Sequence, residues 1–451
     1  MKIPRLLSRG ASFHMTDHRI FKEEHIGIMP LGCVRNTVDS EKILADAKSR
    51  GARICSVQKA STVLVNTCAF TKDAKEESIN VILDLIDLKK RGKIKKIIVH
   101  GCLSERYPKE LKENFKEVDH FVGIADFKKS FDVSARLTPS HFAFLKICEG
   151  CANLCSYCAI PRIKGPLRSR DEASIIDEAR YLEQNGVREL NIIGQDITLF
   201  GWDKSCPSRG SLPLVRLLKK ILKSTHIPWI RLLYLHPKRV SDDLIDLLAH
   251  EKRICPYVDL PLQHINDRIL KLMNRGIDKE TTIKLIEKLR TQMTGVALRT
   301  SFIVGFPSES QKEFQELLDF VRTTRFEKLG VFTYSAEEKT RAYRFKGQIS
   351  ERMKKSRSHT LMSLQREISK EILKKEVGQI IEVMVDEDKT DTPGISICRS
   401  RKDAPEVDGV VFLKSKIKYH AGSIVRCRIV DTCEYDLMGE PAEVSRNESI
   451  Q

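Results

Sequence analysis

The amino-acid sequence predicts an α/β protein in three parts: a small open parallel α/β domain, a six-unit partial (β/α) barrel and a C-terminal antiparallel β-barrel. Two observations support this prediction. Strand-like and helix-like segments alternate twice along the chain, first over residues 25–137 and again over residues 138–350. After residue 378, short strands follow one another without helices between them. Alternation is typical of parallel sheets, whereas short strands in series are typical of an antiparallel barrel.

The length of 451 residues is enough for about three domains. An apolar fraction of 41% is that of a globular protein and excludes disorder throughout. We expect an N-terminal extension, the α/β domain, the partial barrel, a helical connector, the β-barrel and a tail, at residues 1–24, 25–137, 138–350, 351–377, 378–443 and 444–451.

Four short β-rich runs with helical patterns between them predict the first domain. The runs HIGIMPL, TVLVNT, KIIVHG and HFVGI stand at residues 25–31, 62–67, 96–101 and 120–124. Helical patterns cover residues 39–49 and 73–91. This alternation is typical of a small open sheet of parallel strands.

A second alternation predicts the partial barrel. Its strands are FLKI, ELNIIG, IRLLYL, YVDLPL, LRTSFIVG and KLGVFTY, which begin at residues 144, 189, 230, 257, 298 and 328. The helix between the first two should begin after Asp171 and end at Asn185–Gly186, and its buried stripe should be Ile175, Ile176, Ala179 and Leu182. A complete barrel has eight such units, so six make a partial one.

The last part of the chain joins a charged helix to short strands. The connector carries apolar residues at helical spacing, namely Leu361, Leu364, Ile368 and Ile372. Strands follow at residues 380–386, 409–413 and 423–431. Short strands in series predict a small β-barrel.

The first 24 residues lack the apolar segment of a signal peptide. No uncharged run approaches the ~20 apolar residues that a membrane-spanning helix needs. We therefore expect a cytoplasmic protein with no membrane partner. In a reducing compartment the 13 cysteines are poor candidates for a disulfide framework, and clustered ones are better candidates for metal binding or catalysis.

Three cysteines are clustered in the stretch EGCANLCSYCAIPRIKG. Cys151, Cys155 and Cys158, here called the barrel triad, lie within eight residues. A zinc site would need a fourth ligand such as Cys148, and an electron-transfer ferredoxin ligates every iron. Three thiolates instead leave one iron of a 4Fe–4S cluster open to a substrate. The loop follows the first barrel strand, at the end of the sheet where barrel active sites form.

A second set of cysteines ends the runs MPLGC, VNTC and VHGC of the first domain. Cys33, Cys68 and Cys102, here called the sheet triad, each follow a predicted parallel strand. Because carboxyl ends of parallel strands share one edge, these residues can converge in one crevice. The alternative is three unrelated buried cysteines. Three convergent thiolates would again hold a cluster with an open iron.

The spacing Cys-x3-Cys-x2-Cys after the first strand of a six-unit barrel resembles the radical S-adenosylmethionine (SAM) enzymes. The resemblance implies that the open iron binds SAM and that reduction of the cluster cleaves SAM to a 5′-deoxyadenosyl radical. With the sheet triad added, the chain resembles the methylthiotransferases over residues 25–440, including a β-barrel of the TRAM type. The resemblance implies that the barrel triad holds the radical-generating cluster and the sheet triad the sulfur-handling one. One SAM would supply the radical and another the methyl group.

Three stretches resemble the RimO-type branch of that family: LGCVRNTVDSEK (31–42), NTCAFTKDAKEESI (66–79) and DAPEVDG (403–409). One departure is Ala152, which stands where the family pattern has Asn. This branch methylthiolates the β-carbon of an aspartate in small-subunit ribosomal protein twelve. The resemblance implies that protein as partner, free or within the ribosome, and an electron donor such as a flavodoxin.

Three other hypotheses remain at this point: a tRNA adenosine methylthiotransferase (MiaB type), an iron–sulfur electron-transfer protein and a non-catalytic RNA-binding protein. Charge favours a protein substrate. The net charge of the chain is +17, but residues 379–451 carry 10 Lys and Arg against 14 Asp and Glu. An RNA-binding barrel should be basic, whereas an acidic barrel suits a basic protein.

Candidates for contacts to SAM lie in two turns at the catalytic edge. Gly194, Gln195 and Asp196 close the second barrel strand, and Gly305 and Phe306 close the fifth. Glycine lets backbone approach a ligand closely, but both could equally be ordinary turns. Gln263 and His264 face the barrel mouth or simply start the next loop.

Overall fold

The computed structural model describes residues 25–124, 132, 135–204, 212–388 and 392–442. The predicted N-terminal extension and tail lie outside the described residues. The described chain forms two compact units: the first runs to Leu137 and includes Ala159–Pro166, and the second comprises Thr138–Cys158 and the residues from Leu167 onward. In the described ranges no helix is both long and apolar enough to cross a membrane.

The first unit contains one parallel sheet. Its strands are β1 (His25–Pro30), β2 (Arg53–Ile54), β3 (Thr62–Thr67), β4 (Lys96–Gly101) and β5 (His120–Val122), in the order β2-β1-β3-β4-β5. Every neighbouring pair is parallel. Its helices are α1 (Val34–Ser49), α2 (Lys72–Lys90), α3 (Cys102–Arg106), α4 (Pro108–Asn114) and α5 (Ile160–Ile163). The predicted small parallel sheet is confirmed.

Helices cover both faces of this sheet. Every residue of β3 is buried, as expected for a parallel strand with helices on both sides. Val63 and Val65 pack in one core cluster with Ile82 of α2, whereas Leu64 packs in the other with Leu44 of α1.

Helix α1 begins at Val34, earlier than the predicted start at Asp39. The reason is that Asn36, Asp39 and Ser40 are buried on this helix. A helix that buries polar side chains has no apolar periodicity for a sequence pattern to detect.

The second unit begins with the partial barrel. Its strands are β6 (Phe142–Lys146), β7 (Cys148–Glu149), β8 (Arg168–Ser169), β9 (Glu189–Ile193), β10 (Trp229–Leu232), β11 (Ile254–Asp259), β12 (Ala297–Val304) and β13 (Lys328–Thr333). Strands β6 and β9–β13 form a six-stranded sheet of parallel pairs in sequence order, as predicted. The helices are α6 (Glu172–Gln184), α7 (Pro213–Ser224), α8 (Asp242–His250), α9 (Asp267–Met273), α10 (Lys279–Gln292) and α11 (Gln311–Thr324). Asp171 caps α6 by accepting from Ser174 N at 3.2 Å.

Helix α12 (Glu351–Lys374) leads into a closed barrel of β14 (Ile380–Glu387), β15 (Ile395–Ser400), β16 (Val411–Lys414), β17 (Ile424–Thr432) and β18 (Leu437–Pro441), in the order β14-β15-β16-β18-β17. The β16–β18 pair is parallel and the other pairs are antiparallel. The sequence pattern missed β15 and β18. Strand β18 contains Gly439 and Pro441, two residue types that argue against a strand. Glycine is needed at position 439 because a Cβ there would lie 2.2 Å from Cys427 Sγ of the neighbouring β17.

The C-terminal barrel packs against the partial barrel through a buried charge network. Arg399 forms an ion pair with Glu189 Oε2 at 2.7 Å and donates to Asp386 Oδ2 at 2.6 Å. Glu189 also accepts from Arg231 at 2.9 Å, and both of these side chains are fully buried. His141 Nε2 lies 2.7 Å from Asp386 Oδ1. Each ion has a partner of opposite charge, so the network closes without an isolated buried charge.

The stretch DAPEVDG (403–409) lies at the same interface. Asp403 pairs with Lys328 at the start of β13. Asp408 accepts from Tyr257 Oη at 2.7 Å and lies 3.6 Å from Arg299 Nε. Together with Asp386, these aspartates are used inside the second unit. The net charge of residues 379–451 therefore overstates the acidity that the barrel presents to a partner.

We expect Arg399→Ala to lower the free energy of unfolding by about 3–5 kcal/mol, because it leaves the buried Glu189 and the half-buried Asp386 with fewer partners. Arg366→Ala is the matched control. Arg366 of α12 forms an ion pair with Glu434 of the C-terminal barrel at 3.8 Å, but both side chains are exposed. It should cost at most about 1 kcal/mol.

Urea denaturation followed by tryptophan fluorescence measures this difference. Trp229 is buried and lies 5.8 Å from Arg401 of the same interface. Equal shifts of the midpoint in the two variants would contradict a stabilising role of the buried network.

Candidate functional site

The sheet triad lies at one edge of the first unit's sheet. Cys33 follows β1 and precedes α1, Cys68 follows β3 directly, and Cys102 is the first residue of α3 after β4. Strands β1, β3 and β4 are neighbours and parallel. The three thiols therefore come from the carboxyl ends of adjacent strands, which is the placement that the sequence predicts.

Close packing brings the loops of this triad together. A Cβ at Gly32 would lie 2.7 Å from Cys68 Cβ and 2.9 Å from its Sγ, and the φ of Gly32 is +88°. Asn36 is buried, and its Nδ2 donates to Leu31 O at 2.8 Å and to Thr67 O at 3.2 Å. Its Oδ1 accepts from Cys102 Sγ at 3.8 Å. Asn36 thus connects all three loops, a role that the sequence reasoning missed.

A second layer of polar residues holds Asn36 and the strand ends. Asn66 Nδ2 donates to Asn36 O at 2.8 Å, and Asn66 Oδ1 lies 3.3 Å from His100 Nδ1. Gly101, with a φ of +101°, must be glycine because a Cβ would lie 2.2 Å from Asn66 Oδ1. The polar strand ends in VNTC and VHGC were visible in the sequence, but their mutual contacts were not.

The three thiols of the sheet triad differ in their electrostatics. Burial would raise the pKa of Cys33, but Arg35, which donates to its Sγ at 3.5 Å, and Lys164 lower it below its ordinary value. Burial raises the pKa of Cys68, and it raises that of Cys102 to about 12. A metal binds the thiolate form, so its binding would have to displace the protons of Cys68 and Cys102.

The barrel triad lies in the loop after β7, at the carboxyl end of the six-stranded sheet. The C-terminal end of α9 anchors the middle of this loop. Ser156 N donates to Met273 O at 3.0 Å, and Ser156 Oγ donates to Leu272 O at 2.7 Å. Asn274 Nδ2 donates to Leu154 O at 2.7 Å.

Asn153 anchors the start of the same loop. Its backbone N donates to Cys151 Sγ at 3.4 Å, and its Nδ2 donates to Asp196 Oδ2 at 2.7 Å. Arg239 donates to Asn153 Oδ1 at 2.9 Å and also pairs with Asp196. Burial raises the pKa of Cys151, and the bond from Asn153 partly offsets that effect. Asn153 therefore contacts Cys151 although Ala152 stands between them.

The predicted SAM contacts separate into two groups. Gly194 packs against Cys148, with a built Cβ 2.6 Å from its Sγ, and Gln195 Nε2 donates to Glu149 Oε1 at 2.7 Å. With Asp196, these residues adjoin the triad loop. Phe306, by contrast, is buried with its ring 5.3 Å from that of Tyr334.

Gly305 and the stretch LPLQH (260–264) contact other parts of the second unit. A Cβ at Gly305 would lie 2.3 Å from Lys354 Cγ. Gln263 continues the sheet by pairing with Phe302. His264 is fully buried, and burial lowers its pKa to about 4. His264 therefore stays neutral in the core, and its Nε2 has no hydrogen-bond partner in the described part of the chain.

A buried ion pair lies at the entrance to the barrel triad loop, and the sequence reasoning missed it. Lys146 Nζ and Glu149 Oε2 are 2.6 Å apart and both side chains are fully buried. The sequence contains a sign of this pair, because a Lys and a Glu stand on either side of a strand end shortly before Cys151. Gln195 joins the pair through Glu149, so the loop and the second strand end share one polar network.

The donor atoms of both triads fit an iron–sulfur cluster, because each triad offers three thiols. In the described ranges no three His, Cys, Asp or Glu side chains are arranged to hold one ion. A 4Fe–4S cluster binds one thiolate per iron, so its ligands surround a larger group. Cys148, the fourth ligand of the zinc hypothesis, is fully buried and its thiol donates to Asp196 O at 3.8 Å. Burial raises its pKa well above the ordinary value.

Three family models match the chain. They are the "Uncharacterized protein family UPF0004" over residues 25–123, the "Radical SAM superfamily" over residues 145–321 and the "TRAM domain" over residues 377–441. The predicted fold class agrees with these matches.

Relatives match nearly the full length. The "Ribosomal protein uS12 methylthiotransferase RimO" of Thermoanaerobacter sp. (strain X514) is 42% identical over 445 residues, 92% of this chain and 100% of the relative. The protein of the same name from Desulforamulus reducens is 43% identical over 93% of this chain and 99% of the relative. A solved radical S-adenosylmethionine methyltransferase, TsrM from Kitasatospora setae, has a TM-score of 0.49 and 15% identity, covering 88% of this chain and 83% of that one.

We expect Gly32→Ala to prevent assembly of a cluster on the sheet triad, because its Cβ would collide with Cys68. Gly51→Ala is the matched control, since Gly51 also has a positive φ of +93° but no atom within 4 Å of a built Cβ. After anaerobic reconstitution, the Gly32 variant should hold about half the iron and sulfide of the Gly51 variant, one cluster instead of two. Equal iron contents would contradict this packing constraint.

Proposed function

Because the chain belongs to the RimO family of ribosomal protein uS12 methylthiotransferases, we propose that it methylthiolates the β-carbon of an aspartate in small-subunit ribosomal protein twelve. In this reaction one C–H bond of the β-carbon is replaced by a C–S bond, and the sulfur carries a methyl group. The identity to relatives over 92% of the chain carries this proposal.

The two triads are the proposed ligand sets. The barrel triad would hold the 4Fe–4S cluster that binds SAM, and the sheet triad would hold a second 4Fe–4S cluster. When bound, these groups supply the radical, the sulfur and the methyl group. Two observations support the ligand sets: each triad lies at the carboxyl end of parallel strands, and each is enclosed by buried polar residues that fix its loops.

The residues of the chain position and shield these groups. The end of α9 and the Asn153–Asp196–Arg239 network hold the barrel triad loop from two sides. The Lys146–Glu149 pair fixes the strand end before the loop. Such supports keep reactive groups in place and limit the access of water.

Gln195 is the proposed SAM contact with the clearest geometric support. Its Oε1 is buried and has no hydrogen-bond partner in the described part of the chain, while its Nε2 is held by Glu149. A buried acceptor of this kind is expected to find a donor, and the amino group of SAM would be one. Gly194 and Asp196 lie beside it, whereas Gly305 and Phe306 remain proposals from their place at a strand end.

The remaining partners are proposed from the chemistry. A one-electron donor such as a flavodoxin would have to reduce the cluster of the barrel triad. Protein uS12, free or within the ribosome, would be the substrate. We expect both partners in the cytoplasm and propose that location for the enzyme.

We expect the two triads to separate by function. Replacing Cys151, Cys155 or Cys158 by Ala should abolish the cleavage of SAM to 5′-deoxyadenosine. Replacing Cys33, Cys68 or Cys102 should spare much of that cleavage and abolish methylthiolation. Cys433→Ala is the control, because this thiol is exposed on the C-terminal barrel. Chromatography of the nucleoside and mass spectrometry of the product measure the two steps. Intact methylthiolation without the sheet triad would contradict the second cluster.

The substrate should be the ribosomal aspartate and not tRNA adenosine. Purified enzyme is incubated with SAM, a reductant and either ribosomal protein twelve or tRNA, and the products are analysed by mass spectrometry. A mass gain on the aspartate-containing peptide is the expected result. Modification of tRNA alone would contradict the substrate while leaving the radical chemistry in place.

A further inference from the structure

Arg275 is a buried guanidinium beside the barrel triad. It follows Asn274, which ends α9 with a left-handed φ of 57°. Only 6% of Arg275 is exposed. Its Nη1 donates to Cys155 Sγ at 3.5 Å, and its Nη2 donates to Pro261 O at 2.6 Å. The fold therefore places a positive charge directly against one of the proposed cluster ligands.

Arg275 pairs with no carboxylate among the described residues. Arg231 and Arg399, which are also buried, pair with Glu189 and Asp386. Burial of a cation without an anionic partner is unfavourable. Cys155 Sγ accepts a hydrogen bond from Arg275, and as a thiolate ligand it would supply the negative charge that balances this cation.

Arg275 is charged because a guanidinium is not deprotonated in proteins. Asp196 is the carboxylate that acts on it electrostatically. Asp196 itself pairs with Arg239. Burial and the nearby cations hold the pKa of His236 far below its ordinary value, so His236 is neutral here.

The positive charge of Arg275 lies at the C-terminal end of α9, where the helix dipole is negative. The carbonyls of Leu272 and Met273 point at Ser156, the neighbour of Cys155. A helix carries partial negative charge at its C-terminal end, which disfavours further negative charge nearby. Lys271 and Arg275 are cations at this end of α9, and Arg275 is the one that contacts the triad and opposes that effect there.

We propose that Arg275 is a positioning residue that sets the reduction potential of the cluster held by the barrel triad. One-electron reduction by an external donor adds a negative charge to the cluster and its thiolates. A cationic hydrogen bond to Cys155 Sγ stabilises that reduced state and raises the potential. This inference rests on the proposed function, because it takes the barrel triad to be a cluster site.

The test uses the full chain with Cys33, Cys68 and Cys102 replaced by Ala, so that only the cluster of the barrel triad is measured. The variants are Arg275→Gln, which removes the charge, and Arg275→Lys, which keeps it. Ser156→Ala is the matched control, since it removes a hydrogen bond between the same loop and α9 without changing charge. Iron and sulfide are determined, and the reduction potential is measured by a redox titration followed by electron paramagnetic resonance.

We expect Arg275→Gln to lower the ratio of reduced to oxidised cluster about tenfold at a fixed potential, a shift of 59 mV for a one-electron couple. Arg275→Lys should lie between Arg275→Gln and the parent, and Ser156→Ala should leave the potential unchanged. An unchanged potential in Arg275→Gln, or an equal shift in Ser156→Ala, would overturn the proposal. Loss of the cluster from both Arg275 variants but not from Ser156→Ala would also overturn it, since Arg275 would then be needed for assembly. A parent chain that holds no cluster would contradict the proposed function instead.

Discussion

One geometric constraint underlies both candidate centres: parallel strands bring their carboxyl ends to the same edge of a sheet. The first unit uses this directly, because three adjacent strands each supply one thiol of the sheet triad. The barrel triad comes from a single loop at the end of one strand, so the edge alone does not fix it. Helix α9 and the Asn153–Asp196–Arg239 network supply the anchors that neighbouring strands supply in the first unit.

Burial decides how these edges are built. Thiols and charged groups that leave water need hydrogen bonds or opposite charges. The first unit meets this need with the amides of Asn36 and Asn66, and the second with the Lys146–Glu149 pair. Most members of these networks contact two partners each. The result is a rigid support, and rigid supports hold a bound group in reactive geometry.

The parts of the molecule that local patterns encode could be predicted from the sequence. The six barrel strands, the cap Asp171 and the position of each cysteine after a strand depend on neighbours in the chain. Asn36, Arg275 and the Glu189–Arg399 pair could not be predicted, because their partners are distant in sequence and become neighbours only in the fold. The polar buried face of α1 shows the same limit, since hydrophobic periodicity does not detect buried Asn and Ser.

The C-terminal barrel lies at the opposite end of the six-stranded sheet from the barrel triad. Its residues Arg399 and Asp403 pair with Glu189 and Lys328, which begin β9 and β13, whereas the triad follows the end of β6. Its buried aspartates therefore stabilise the second unit and are not available to bind a substrate. Any contact between this barrel and a ribosomal protein must use its outer surface, where exposed Arg426 and Arg428 stand beside exposed acids such as Glu440. Net charge alone therefore does not determine the substrate.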